Sequence, residues 1–323
     1  MKKVLITGGA GFIGLHLAEE LIKNNYEVHL ADNFSRGVYD RNLISIIENS
    51  NAKIVDIDLM NETSVEKLDK DYNLIFHLAA VVGVQHVLNS PYRVLKDNFL
   101  LLDNLLSFGK RQLNLSRFLF TSTSEVYAGT LQQYGIRFPT PENTNLCVGN
   151  LRDKRTSYML SKIYGEAMCF HSGLPVTIFR PHNFYGPRMG LVHVIPELMK
   201  KIKESKNGAI DVFSVDHKRT FCFILDAVKM IRLLSEHTDT VDKYFNIGND
   251  SEEISMGDLA KKIVEIMNKN ISISPVDSTP GSPKRRIPSM EKVRSYTKFR
   301  NQYRLEEGIK SLNQKINDVE GRI

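Results

Sequence analysis

The chain has no tryptophan and only three cysteines in 323 residues. Cys147, Cys169 and Cys222 are odd in number, far apart and without a C-x-x-C pair, so neither a disulfide framework nor a zinc site is supported. The reading is a reducing, cytoplasmic setting and no metal. Long hydrophobic runs are also missing: none approaches the ~20 apolar residues that cross a bilayer, so a soluble chain without a membrane partner is expected. MKKVLITGG begins like a signal peptide, yet it runs into glycines with no cleavage-like segment and is read as a first strand. Internal repeats and long low-complexity tracts are absent. The net charge is +6, but the basic residues are dispersed among 37 acidic ones and no basic stretch alternates with aromatics. Nucleic acid is therefore set aside in favour of anionic small molecules.

What is present is alternation. KVLITG, YEVHLADN, AKIVDIDL, NLIFHLAA, RFLFTSTS and LPVTIFRP are short apolar or β-branched runs separated by helical periods such as FIGLHLAEELIKNN and VLKDNFLLLDNLLSFGKR. Strands alternating with helices predict right-handed crossovers and a doubly wound parallel α/β sheet of the Rossmann type. Past RPHNFYGPR the pattern loosens, then FCFILDAVKMIRLL and YFNIG resume it. The expected division is a discontinuous dinucleotide-binding domain, 1–182 with 219–249, and a smaller mixed α/β substrate-binding domain, 183–218 with 250–323. A Pro, Ser and Arg-rich loop, DSTPGSPKRRIPS, and a short helix are expected near the end of the chain.

Two motifs carry chemistry. Gly8, Gly11 and Gly14 sit three apart after a strand and at the opening of a helix, where backbone can approach a pyrophosphate and unpaired N–H groups meet the anion. Phe12 and Ile13 lie between them. Asp32 ends the next strand, where a carboxylate accepts from an adenosine ribose and repels a 2′-phosphate, which favours NAD over NADP; Arg36 leaves NADP open. Tyr158 and Lys162 are four apart, on one face of a helix, so that an ammonium beside the phenol would lower its pKa and make it a general base for an alcohol. The hydroxyl cluster TSTSEVY closes a buried strand.

Together these residues resemble the extended short-chain dehydrogenase/reductases, the NAD-dependent nucleotide-sugar epimerases, dehydratases and decarboxylases. The likeness runs from TGGAGFIG through DNFSRG, DID, HLAA, STSEVY, YMLSK and RPHNFYGPR to KRTFCF and PKRRIPS. The resemblance implies a catalytic set of Thr123, Tyr158 and Lys162, with Ser124 and Glu125 beside it. It implies cofactor contacts from Asn33 and Arg36 in DNFSRG, from Asp58 and Leu59, from Ala79 and Ala80, and from Asn98. Asn183 and Arg219 would hold the substrate diphosphate, with Arg285 or Arg286 as a second clamp.

Dehydratases carry Thr-Asp-Glu, and here Ser124 replaces the aspartate, so dehydration is disfavoured. Thr123-Ser124-Glu125 resembles UDP-glucuronate decarboxylases and certain epimerases, although the two residues after Thr123 could also simply cap the next turn. Tyr127-Ala128 and Leu101-Leu102 depart from the family pattern, the segment from Gly129 to Arg155 is longer than a decarboxylase would need, and RPHNFYGPRMGLVHVIPEL is closer to epimerases. The leading expectation is an NDP-sugar 4-epimerase acting through a 4-keto intermediate, followed by a decarboxylase and then by a C4 dehydrogenase. A non-enzymatic NAD-binding sensor is the alternative from another class. Helices near 96–112 and 156–172 are apolar on more than one face, and the resemblance implies that this pair forms a four-helix bundle across the two-fold axis of a homodimer. His182 and His193 are loop histidines that could contact substrate, although a loop histidine more often sits in solvent.

Overall fold

The computed structural model describes residues 1–277 and 283–320. Seven strands form one all-parallel sheet: β1 (Lys2–Thr7), β2 (Tyr26–Asp32), β3 (Ala52–Asp56), β4 (Leu74–His77), β5 (Arg117–Thr121), β6 (Val176–Pro181) and a seventh strand, Lys243–Ile247. The spatial order is the seventh strand, then β6, β5, β4, β1, β2 and β3. This is the Rossmann-like α/β fold that the alternation predicts.

The apolar runs are continuous because helices cover both faces. Along β1 the side chains still alternate: Val4 and Ile6 join the apolar cluster that contains Leu15, Leu30 and Ile231, while Leu5 joins the opposite cluster with Leu105, Phe118 and Ile178. On the first face helix α1 (Phe12–Lys23) packs against the helix Ile224–Glu236. On the second, the helix Pro91–Lys110 packs against the helix Thr156–Phe170. Strand order reverses between β1 and β4, and at such a switch point the loops leaving the carboxyl ends diverge and open a crevice.

A second group of elements sits beyond that carboxyl edge. The helices Val194–Glu204 and Met256–Ile266 flank a parallel strand pair, Ala209–Phe213 with Ser272–Val276. Ile195, Leu198, Ile202, Leu259 and Ile263 belong to the same apolar cluster as Val4 and Ile6, so one core runs through both groups. Three two-residue strands, Ile254–Ser255, Lys218–Arg219 and Arg285–Arg286, make a small sheet with Lys218–Arg219 in the middle. Arg285–Arg286 come from the Pro, Ser and Arg-rich loop, part of which, 278–282, lies outside the described residues. The final helix, Leu305–Glu320, has 16 residues and is longer than the short helix expected, because Leu305, Ile309 and Leu312 repeat at helical spacing and are buried.

Candidate functional site

The glycine turn after β1 is shaped by close approach. Gly8 has φ +69°, and a Cβ there would lie 2.9 Å from the Ala79 nitrogen. A Cβ on Gly14 would collide with the carbonyl oxygen of Gly8. Gly11 caps α1 without any side-chain bond, which leaves the first-turn N–H groups of a 12-residue helix facing the crevice mouth, flanked by Phe12 and Ile13. Asp32 ends β2 as expected. Its two carboxylate oxygens accept from the Ala10 N–H (3.0 Å) and the Phe34 N–H (2.9 Å), and burial pushes its pKa up against those bonds. The cradle and the carboxylate fit an adenosine dinucleotide.

The neighbouring loops close around that cradle. Asn33 is exposed and caps its own turn by accepting from Ser35 N–H. Arg36 donates to the Val82 carbonyl (3.1 Å), so it bridges the loop after β2 to the loop after β4. Arg36, Ala80, Val81 and Arg93 line a cleft of about 580 Å³, counted out to solvent. Ala79 donates its N–H to Thr7 Oγ1. Asn98 clamps Val81 from both sides, accepting from its N–H (2.7 Å) and donating to its carbonyl (3.1 Å), and also donates to Ser161 Oγ. Asn98 therefore ties the loop after β4 to the helix that carries Tyr158. Asp58 is exposed and accepts from Met60 N–H, while the buried Leu59 offers its carbonyl to Asn104.

At the end of β5 the hydroxyl cluster divides its duties. Thr123 Oγ1 accepts from Glu125 N–H (3.2 Å) and caps the turn Ser124–Tyr127. Ser124 lines a cleft, and Glu125 pairs with Arg286 (2.8 Å). Arg286, more than any other group, holds the Glu125 carboxyl below the usual range. Of the two candidate clamp arginines Arg286 is the one that pairs with Glu125; Arg285 also lines the cleft but makes its two-pronged pair with Glu253 (2.7 and 2.9 Å). Successive residues of a strand point to opposite faces, which separates them. Arg219 pairs in register with Arg286 and donates to the Lys218 carbonyl. Burial, with Arg286 beside it, lowers its pKa to about 10. Asn183, at φ +44°, donates to the Thr220 carbonyl (2.8 Å).

Tyr158 and Lys162 share a helix face as the spacing predicts, but one electrostatic expectation fails. Lys162 Nζ lies 6.0 Å from the centre of the Tyr158 ring and donates to the Thr121 carbonyl (2.8 Å), over the Phe120 ring. Burial pushes the Tyr158 phenol up, the Glu125 charge adds to this, and the Thr123 hydroxyl and Arg36 oppose it. The ammonium is therefore not what tunes the phenol here: the strand-end carbonyl holds it away. Burial also lowers Lys162 to about 8, with Cys169 and Glu166 opposing. Because its folded value lies below the ordinary one, the unfolded chain holds more protons between about pH 8 and 10.5, and the penalty on the buried ammonium is relieved as pH rises through that window. In cofactor-stripped protein the stability deficit relative to Lys162→Met should shrink by about 2 kcal/mol between about pH 7.5 and 9.5. Denaturant unfolding measures it, and a constant gap would mean the ammonium is not desolvated.

Sequence reasoning missed a buried polar network behind the turn. Arg180 makes a two-pronged pair with Glu166 (2.8 and 2.6 Å) and donates to the Tyr127 hydroxyl (2.8 Å) and the Glu142 carbonyl (3.2 Å). Ser122 donates to the same Glu166 carboxylate. His182 is also in this layer, only 1% exposed, which excludes the solvated alternative for it; His193 is exposed. The available signal was an arginine inside the apolar run VTIFRP, where a charge requires a partner.

The comparisons with known proteins agree with this geometry. The model of the NAD dependent epimerase/dehydratase family matches residues 4–248, and the chain belongs to that family. It is similar to the UDP-N-acetyl-alpha-D-glucosaminuronate decarboxylase of Bacillus cytotoxicus, 32% identical with 99% of both chains covered. It is also similar to UDP-glucuronic acid decarboxylase 5 of Arabidopsis thaliana, 31% identical, covering 95% of this chain and 87% of the other. Among solved structures, the UDP-glucuronic acid 4-epimerase of Bacillus cereus, in complex with UDP-glucuronic acid and NAD, superposes with a TM-score of 0.85 at 26% identity, covering 98% and 99%. The protein is an enzyme of the NAD-dependent nucleotide-sugar epimerase and decarboxylase group, and NAD is its cofactor. Among the described residues no helix is long and apolar enough to cross a membrane.

Proposed function

We propose that this enzyme oxidises the C4 hydroxyl of a UDP-linked hexuronic acid and releases the C5 carboxylate as carbon dioxide. The observation that carries the reading is Thr123-Ser124-Glu125 at the Tyr158 site with Glu125 held ionised by Arg286. The names of the relatives support the substrate: both decarboxylases and the epimerase act on a UDP-sugar acid. Gly8, Gly11, Phe12, Ile13, Gly14, Asp32, Asn33, Arg36, Asp58, Leu59, Ala79 and Ala80 form the cofactor cradle, with Asn98 positioning its rim. NAD held there would supply the hydride acceptor for C4 and the hydride for its re-reduction.

Tyr158, assisted by the Thr123 hydroxyl, takes the C4 proton. The resulting ketone lies β to the C5 carboxylate, so the C–CO2 bond breaks with its electron pair passing into a C4 enolate; a proton from water then adds at C5 and restores the C4 ketone for reduction. Having taken the C4 hydroxyl proton, the Tyr158 phenol is placed to donate to the C4 oxygen. The Glu125 charge disfavours a second carboxylate nearby, and Arg286, already paired with Glu125, offsets it only in part. Arg219 and Arg286, with Asn183, suit the diphosphate end.

Epimerisation at C4 is the second reading, favoured by the segment RPHNFYGPRMGLVHVIPEL. Incubation with UDP-glucuronate and UDP-N-acetylglucosaminuronate, followed by mass spectrometry, separates the two. Loss of carbon dioxide is the expected result; an isomer of unchanged mass would replace it with the epimerase. Accumulating reduced cofactor would mean a dehydrogenase, and no turnover with any nucleotide sugar would leave the sensor.

We also propose a homodimer and a cytoplasmic location. Tyr92 (75% exposed), Phe99 and Tyr164 form an outward aromatic face on the two packed helices, with the Phe99 and Tyr164 rings 5.9 Å apart. Phe99→Glu should convert the species seen by light scattering from dimer to monomer. A wild-type monomer would refute the dimer.

A further inference from the structure

We infer that Arg188 is a positioning residue for the cofactor: it latches the loop after β2, which carries Asn33 and Arg36, to the loop after β6, and so sets how slowly NAD leaves. The inference rests on the cofactor cradle proposed above and adds what holds that cradle together.

Burial does little to fix the loop after β2. Phe34 packs against the apolar core, but Asn33, Ser35, Arg36, Val38 and Tyr39 are exposed, up to the helix Arg41–Glu48. Its path over the glycine turn is nonetheless tight. A Cβ on Gly37 would lie 2.8 Å from Ala10 Cβ and 2.8 Å from Asp32 Oδ1, so the loop lies directly on the turn that meets the pyrophosphate. Besides the Arg36 bond to the Val82 carbonyl, hydrogen bonds at Val38 and Asp40 keep it there. The Val38 N–H donates to the Ala10 carbonyl (3.3 Å). Arg188 supplies the rest: Nη2 donates to the Val38 carbonyl (2.8 Å) and Nε to Asp40 Oδ2 (2.8 Å). The other oxygen of Asp40 accepts from Leu43 N–H (3.0 Å) and caps the following helix.

Arg188 is itself anchored from the substrate side. The short strand Phe184–Tyr185 pairs with Cys222–Phe223, and Asn183 bonds both Thr220 and Cys222. At Gly186, φ +154°, the chain turns back towards the cofactor, and the Pro187 carbonyl lies 3.0 Å from His16 Nε2 on α1. Arg188 follows with φ +68°, a left-handed conformation that suits glycine. Its side chain is 10% exposed, and Nη1 is buried without a hydrogen-bond partner among the described residues. Selection for stability alone would not keep a strained backbone and an unspent donor at one residue; such strain persists where a contact serves function. The function served is retention. The hydride taken from C4 must be returned, so a cofactor that leaves in its reduced form strands the keto sugar.

The test is cofactor release, not turnover. Protein loaded with NADH is mixed with excess NAD, and nicotinamide fluorescence, free of tryptophan background, follows the exchange. UDP affinity is measured calorimetrically on the same variants. Arg188→Met should release NADH at least about tenfold faster, the order that a charge-assisted hydrogen bond is worth. It should bind UDP within about twofold of wild type, because Asn183 keeps its own anchors. Asp40→Asn, whose remaining oxygen can still cap the helix, should speed release about threefold or more. Adding it to Arg188→Met should change the rate by no more than about twofold, since both act through one contact. If Arg188→Met fails to fold, Asp40→Asn decides alone. Release within about twofold of wild type overturns the inference. So does UDP affinity that falls in step with that for NADH, which would make Arg188 a support of the whole fold. NADH that fails to bind wild type overturns cradle and latch together; UDP that fails to bind it overturns the diphosphate reading and leaves the release rates to decide the latch.

Discussion

Tyr158→Phe should lower sugar oxidation by about three orders of magnitude and leave NAD binding unchanged. Positioned acid–base groups contribute roughly 10²–10⁴-fold, and Tyr158, as the phenolate, is the group at the site suited to accept the C4 proton and then, as the phenol, to donate to the oxygen it came from. Phenylalanine keeps the ring and so keeps the packing over the Lys162 ammonium, 6.0 Å from the ring centre. Lys162 is held by the Thr121 carbonyl and not by the phenol, so it should stay in place. The measurement is single-turnover reduction of bound NAD, read by nicotinamide fluorescence without tryptophan background. A variant that keeps more than about a tenth of the wild-type rate would remove Tyr158 from the chemistry, and the Glu125 and Arg286 pair would become the next candidate for the proton.

Arg180→Met should destabilise the protein by about 3–5 kcal/mol, the largest stability effect expected outside the apolar core. The guanidinium and the Glu166 carboxylate are 3% and 6% exposed, and neither can reach water when its partner is removed. Glu166 would keep only the Ser122 hydroxyl, and the Tyr127 hydroxyl would lose its donor. Replacing both charges, as in Glu166→Leu with Arg180→Met, should recover much of the loss, because the penalty comes from one unpaired buried charge and not from the missing attraction. Urea unfolding of the single and double variants decides it. A single variant within about 1 kcal/mol of wild type would mean that the interior reorganises or hydrates around Glu166. The functional consequence is local. Ser122 precedes Thr123 and Tyr127 follows Val126, so the pair holds both ends of the turn that presents Thr123, Ser124 and Glu125 to the site.

That turn shows how far sequence reasoning reaches. The alternation of strands and helices, the three glycines, Asp32 and the Tyr158–Lys162 spacing are local patterns, and each is legible because a strand, a helix or a tight turn imposes its own periodicity on neighbouring residues. The interpretation of TSTSEVY needed more. Capping could be foreseen for the cluster as a whole, but its assignment to Thr123, with Glu125 left for Arg286, depends on residues 161 positions apart meeting in space. The same applies to Arg285 and Arg286, which adjacent sequence positions cannot tell apart and which the strand pairing sends to opposite partners.

By itself, then, the sequence determined the parallel α/β architecture, the dinucleotide cradle and the family, since these rest on short-range rules that hold wherever the pattern occurs. Only the tertiary structure decided that Lys162 is held by the Thr121 carbonyl, that His182 is buried, and that Glu166 and Arg180 neutralise each other beneath the site. These are contacts between distant segments in a medium without water, where a group's charge and hydrogen bonding are set by whatever the fold brings beside it.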